Sequence, residues 1–97
     1  MEIAKKFDSG KLTVTVGGRV DTVTAPELSV ALNLDGVTDL TIDLAGVPYM
    51  SSAGLRCLLA AQKSMNANGG EMRISNVQPV VKEVLDLTGF SGIFTLV

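Results

Sequence analysis

Residues 40–63 read LTIDLAGVPYMSSAGLRCLLAAQK. The first part alternates. Leu40, Ile42 and Leu44 fall on one side of an extended chain and Thr41 and Asp43 on the other, the period of two expected of a strand buried on one face. After Met50 the period changes. On a helical wheel begun at Ser52, at about 100° per residue, Gly54, Leu58, Ala61 and Met65 share one side, and Ser52, Arg56, Leu59 and Lys63 share the other. The stretch therefore reads as a strand that hands over to a helix at Ser51–Ser52. The helix runs to about Asn68 and is stopped by Gly69–Gly70.

The same grammar extends in both directions. KLTVTVGG sets Leu12, Val14 and Val16 against Thr13 and Thr15, and EMRIS sets Met72 and Ile74 against Glu71, Arg73 and Ser75. Strands with one polar face each predict a sheet covered on one side only, which argues against a doubly wound nucleotide-binding fold, whose strands read as continuous apolar runs. MEIAKKF precedes these as a further strand, and IFTLV closes the chain as the last one. TAPE, at 24 to 27, has the form of a capping box: the Thr24 hydroxyl takes an early backbone N–H and Glu27 reaches back. Leu28, Ala31 and Leu32 give the short helix after it an apolar face, and Asp35–Gly36 ends it in a turn. In NVQPVVKEVLDLTG, Asn76 is the expected cap, Pro79 lies in the first turn and Gly89 stops the helix, with Val77, Val80, Val81, Val84 and Leu85 as its stripe. The predicted order is strand, strand, helix, strand, helix, strand, helix, strand, in one domain spanning 1–97.

The 97 residues are 46% hydrophobic and 19% charged, with a net charge of -2, so a core is available and no basic patch marks a nucleic-acid partner. There is no histidine, which removes a Ser-His-Asp triad and any zinc site built on imidazole. The single cysteine, Cys57, supplies neither a disulfide nor a thiolate cluster, and it leans toward the buried side of its helix as packing. No apolar run approaches the ~20 residues that span a bilayer, and no charged-then-apolar leader opens the chain. The expectation is a cytoplasmic domain with no membrane contact.

Two readings of the serine pair are compatible. Ser51 and Ser52 form an N-cap pair, a role worth ~1 kcal/mol over alanine. Alternatively a hydroxyl there is a regulated acceptor, because added phosphate meets free N–H groups at a helix start and changes the surface a partner reads. A nucleophile elbow is a poor match: Gly54 stands two places after Ser52, but Met50 takes the earlier glycine's place. Gly17–Gly18 matches no phosphate loop. Asp21, Asp35, Asp39 and Asp43 are scattered over turns and strand ends, with no metal-site spacing, and Arg19 and Asp21 read as surface charges beside a turn. Leu59, joined by Leu55 and Met50, would make an exposed apolar patch for a protein partner. Enzymatic activity is not expected.

These stretches resemble the STAS domain (sulfate transporter and anti-sigma factor antagonist) in its free-standing antagonist form. GRVDTVTAPEL at 18 to 28, LTIDLAGVPYMSSAGLRCLLAAQK at 40 to 63 and GGEMRISNVQPVVKEVLDLTGF at 69 to 90 carry the likeness, the central one most specifically. The resemblance implies an α/β fold: a small mixed sheet of about five strands with three main helices packed on one face. It implies an anti-sigma factor antagonist, without a cofactor or metal, that binds an anti-sigma factor which is also a serine kinase. Phosphorylation weakens that complex, and a metal-dependent serine phosphatase reverses the mark. Aligning MSSAGL on the family's M-D-S-[ST]-G-L pattern puts Ser52 at the acceptor position, with Met50, Ser51, Gly54, Leu55, Arg56 and Leu59 in the contact surface and Asp21, from GRVD, at its border. The chain departs from the pattern at Ser51, where the family usually carries an aspartate, so a second hydroxyl lies beside the acceptor. Some STAS domains serve instead as constitutive subunits of transport or signalling complexes, in which the serine carries no phosphate.

Overall fold

Four short segments, three of them alternating, assemble into one sheet. The computed structural model describes residues Met1–Val97. Its elements are β1 (Glu2–Asp8), β2 (Lys11–Gly17), α1 (Ala25–Ala31), β3 (Asp39–Gly46), α2 (Ser52–Ala67), β4 (Glu71–Ser75), α3 (Pro79–Thr88) and a 3-10 turn (Phe90–Gly92). The sheet order is β1-β2-β3-β4. Ser9 and Gly10, both at positive φ, make the two-residue turn that pairs β1 with β2 antiparallel. The other two pairings are parallel and are bridged by α1 and α2.

The register aligns like with like. Leu12, Leu40 and Met72 form one row across the sheet, and Val14, Ile42 and Ile74 the next. All six are buried, and they join Leu28 of α1, Leu58 and Met65 of α2, and Val81 and Leu85 of α3 in a single cluster. All three helices therefore cover the same face. The opposite face carries Thr13, Thr41 and Arg73 in register, and Arg73 donates to Asp39 and, at 3.1 Å, to Thr41. No polar side chain lies in the core, which is why a period of two is so clear in the strands.

Three local expectations are corrected. IFTLV does not add a fifth strand. The chain turns through Phe90–Gly92, inserts Phe94 into the core and meets β4 only at the single bridge between Leu96 and Ile74. Gly89, in the left-handed region, stops α3 just before this turn. Asn76 does not cap α3. It sits at φ 57 and donates from Nδ2 to Asp43 Oδ2 at 3.2 Å, leaving Gln78 as the extended residue before Pro79. In TAPE, Thr24 already has helical φ and ψ, so its hydroxyl cannot face the next amides, and it makes no cap bond to them. The capping box lies three residues earlier: Asp21 Oδ1 accepts from the N–H groups of Val23 and Thr24 at 3.0 and 3.1 Å, and Thr24 Oγ1 accepts from the Asp21 N–H at 2.9 Å.

Candidate functional site

The site is built where two loops at one end of the sheet meet. Beyond β2, the Gly18–Asp21 segment runs beside the Pro48–Ser51 segment that leads into α2. Val20 and Met50 form a parallel bridge; the Val20 N–H donates to Tyr49 O at 3.0 Å and the Ser51 N–H to Val20 O at 2.8 Å. This brings GRVD and YMSS, distant in sequence, to one place. Val20 and Met50 are buried beneath it.

α2 starts from this platform. Ser51 has an extended backbone, and its carbonyl accepts the first helical bond, from the Leu55 N–H at 3.1 Å. It thus holds the N-cap position of the backbone, but its side chain does not cap. Its Oγ is sealed from solvent and has no hydrogen-bond partner. Ser52 is the first residue of the helix and is exposed. The two hydroxyls, adjacent in sequence and alike in chemistry, differ in access. No side chain caps the helix and no acidic residue lies in its first turn, so its leading N–H groups have no anionic side chain as a partner.

Gly54 is the reason that α2 can sit so close. A Cβ on it would lie 2.5 Å from Val20 Cγ1 and 2.9 Å from Met50 Cγ. The space of the missing side chain is filled by the platform itself.

The predicted contact surface divides in two. Ser52 and Arg56 are exposed, and Leu59 is half-buried against the core. Met50 and Leu55 are only 3% and 4% exposed, and Gly54 is buried. The expected Met50–Leu55–Leu59 surface patch is therefore absent: Leu55, one residue further round the wheel than the Gly54–Leu58 stripe, turns inward to join it. Met50, Gly54 and Leu55 position the surface from below and do not form it. Asp21 is half-buried at the border, and its carboxylate ties the 21–24 turn together. The Thr24 N–H above all, with the Val23 N–H, the Thr24 hydroxyl and the Arg19 charge, holds it below the usual aspartate range, against the opposing effect of partial burial.

Three exposed residues beside this border, Arg19, Val23 and Tyr49, are not among the expected contact residues. Arg19 lies over the Tyr49 ring, 4.2 Å from its centroid, with Nε 3.7 Å from Asp21 Oδ2. Val23, in the same turn as Asp21, is 86% exposed. Arg19 and Asp21 read as ordinary turn charges because only the pairing of Val20 with Met50 brings Tyr49 to them; an apolar residue left inside a polar turn, as in DTVT, is the one sequence signal that points to Val23. Cys57 points away from this surface, toward α1, with its thiol 3.4 Å from Ala25 O, and burial pushes its pKa up. No group of three or more Asp, Glu, Cys or His side chains is placed to hold a metal ion. The two shallow depressions in the surface lie elsewhere, one at the C-terminal half of α2 and β4, the other along β1 and β2. The site is a surface, not a cleft, and no helix is long and apolar enough to cross a membrane.

The STAS domain profile matches residues 2–97. An anti-sigma-B factor antagonist of Staphylococcus epidermidis is 34% identical over 83 residues, 82% of this chain and 77% of that protein. The crystal structure of an anti-sigma factor antagonist from Mycobacterium paratuberculosis superposes with a TM-score of 0.86 at 30% identity, covering 98% of this chain and 83% of that one. The fold is also that of the Bacillus cell fate determinant SpoIIAA in its phosphorylated form, with a TM-score of 0.71 at 16% identity over 99% of this chain and 91% of that one.

Proposed function

The chain belongs to the STAS domain family, and on that footing we propose that it is an anti-sigma factor antagonist controlled by phosphorylation of Ser52. In this reading the unmodified domain binds an anti-sigma factor that is also a serine kinase. Ser52, Arg56 and Leu59 meet the partner from α2, and Asp21 borders them, with Arg19, Val23 and Tyr49 alongside. A phosphate on Ser52 adds nearly two negative charges at the centre of that surface, so the partner is released without the domain having to unfold. A serine phosphatase returns the domain to its binding state.

One observation carries the reading: of two adjacent serines at the start of α2, Ser52 is exposed while the hydroxyl of Ser51 is sealed. A kinase reaches the first without disturbing the fold and cannot reach the second without opening it. The relatives and solved neighbours described as anti-sigma factor antagonists support the class of partner, and a phosphorylated neighbour of the same fold supports the type of control.

The test uses the purified domain, the cognate anti-sigma factor kinase and ATP, with the phosphate mapped by mass spectrometry. Label is expected on Ser52 and absent from Ser52→Ala, with Ser51→Ala labelled at the normal rate. Incorporation that survives in Ser52→Ala refutes the assignment.

A further inference from the structure

Arg56 is an exposed cation with no ion pair and no hydrogen bond from its side chain. It stands four residues after Ser52 on the outward face of α2. On a helix, residues at that spacing have Cβ atoms about 5–6 Å apart, and an anion placed one turn N-terminal to a cation is the favourable order. The guanidinium fork also matches the oxygens of a phosphate, which it can engage through two N–H donors.

The surrounding charges leave Arg56 as the available partner. On the segment bridged to Met50, Arg19 is engaged with the Tyr49 ring and Asp21, and Asp21 is engaged with the 21–24 turn. On α1, which packs against α2, the charged residue is Glu27, itself in the first turn of that helix. On α2 the next cation, Lys63, lies a further two turns along. The first turn of α2 has no acidic residue to compete for the guanidinium.

We propose that Arg56 is the intramolecular receptor for the phosphate on Ser52. The inference rests on the reading of Ser52 as the acceptor and adds the consequence of its modification. In the unmodified domain Arg56 offers a free positive charge to a partner's acidic group. Once Ser52 is phosphorylated, the guanidinium turns to the phosphate and is withdrawn. The partner then loses an attractive contact as well as meeting a new negative charge, so one modification acts twice on the same surface.

The experiment installs phosphoserine at position 52 during synthesis, by genetic encoding, so that no kinase is needed. The second ionisation of the phosphate is followed by phosphorus NMR in the parent sequence and in Arg56→Gln, Arg56→Lys and Arg19→Gln backgrounds. A pairing cation favours the dianion, so the phosphate pKa is expected to be about 0.2–0.4 unit lower with Arg56 than with Arg56→Gln. Arg56→Lys recovers part of the shift, Arg19→Gln leaves it in place, and the unmodified Arg56→Gln domain keeps its melting temperature. Equal phosphate pKa values in the parent and Arg56→Gln proteins overturn the proposal, as does a shift that disappears in Arg19→Gln instead. Failure here leaves the choice of acceptor untouched, and a kinase that ignores Ser52 leaves this titration readable.

Discussion

Replacing Gly54 with alanine sets two effects of opposite sign against each other. Gly54 is the third residue of α2, where alanine is favoured by at most about 1 kcal/mol because it restricts the unfolded chain. By propensity alone the change stabilises. The packing opposes it. The new methyl would fall 2.5 Å from Val20 Cγ1 and 2.9 Å from Met50 Cγ, against an optimum near 3.5–4.0 Å for carbon atoms. Met50 is unbranched and can give way. Val20 cannot, since it is fully buried, branched at Cβ and held by backbone bonds to Tyr49 and Ser51. Overpacking of this kind costs about 1–3 kcal/mol; with an overlap near 1 Å the upper part of that range applies, giving a net loss of roughly 1–2 kcal/mol. In a domain of this size that lowers the melting temperature by about 4–16 °C. Urea denaturation of Gly54→Ala, Val20→Ala and the double variant measures it. The double variant should lose less than the sum of the singles, because removing Val20 Cγ1 removes the clash. A Gly54→Ala domain as stable as the parent, with strictly additive energies, refutes the close-packing argument.

The same geometry sets three further outcomes. Ser51→Ala should be neutral or stabilising by up to about 1 kcal/mol in chemical denaturation, because a buried hydroxyl without a partner is removed; a loss of that size would show that its oxygen caps α2 after all. Asp21 titrates below the usual aspartate range, so its stabilisation is fully present above the unfolded-state value and is lost as pH falls through the depressed folded one. Asp21→Asn should therefore flatten the acid limb of the stability curve, and parallel curves for parent and variant would contradict the role given to the 21–24 turn. Burial raises the Cys57 thiol, so a thiol reagent at pH 8 should react several-fold more slowly with the native domain than with the urea-unfolded chain; equal rates would mean that α1 does not shield it.

A residue is legible in the sequence when it answers to its neighbours along the chain, and much less so when it answers to neighbours brought by folding. Leu40, Ile42 and Leu44 announce their face by alternation, and Gly54, Leu58, Ala61 and Met65 announce theirs by helical spacing, so the sheet, three helices and the exposure of Ser52 are all readable. Thr24, Asn76 and the C-terminal IFTLV mislead for a shared reason. Each has the right residue type for a cap or strand, yet its side chain or backbone is already committed to another partner: Thr24 to Asp21, Asn76 to Asp43, and Phe94 to the core. Local propensity carries no record of such competition.

The site shows the same division. Pattern along the chain is enough to put a hydroxyl at the exposed start of α2, because periodicity fixes which way each side chain of a helix points. Folding is needed to seal the hydroxyl of the neighbouring Ser51, to draw Met50 and Leu55 beneath the surface, and to stand Arg19, Tyr49 and Asp21 beside it. Those outcomes depend on the pairing of Val20 with Met50, a contact between segments about thirty residues apart, and the order of residues in one segment does not encode the partner that another supplies.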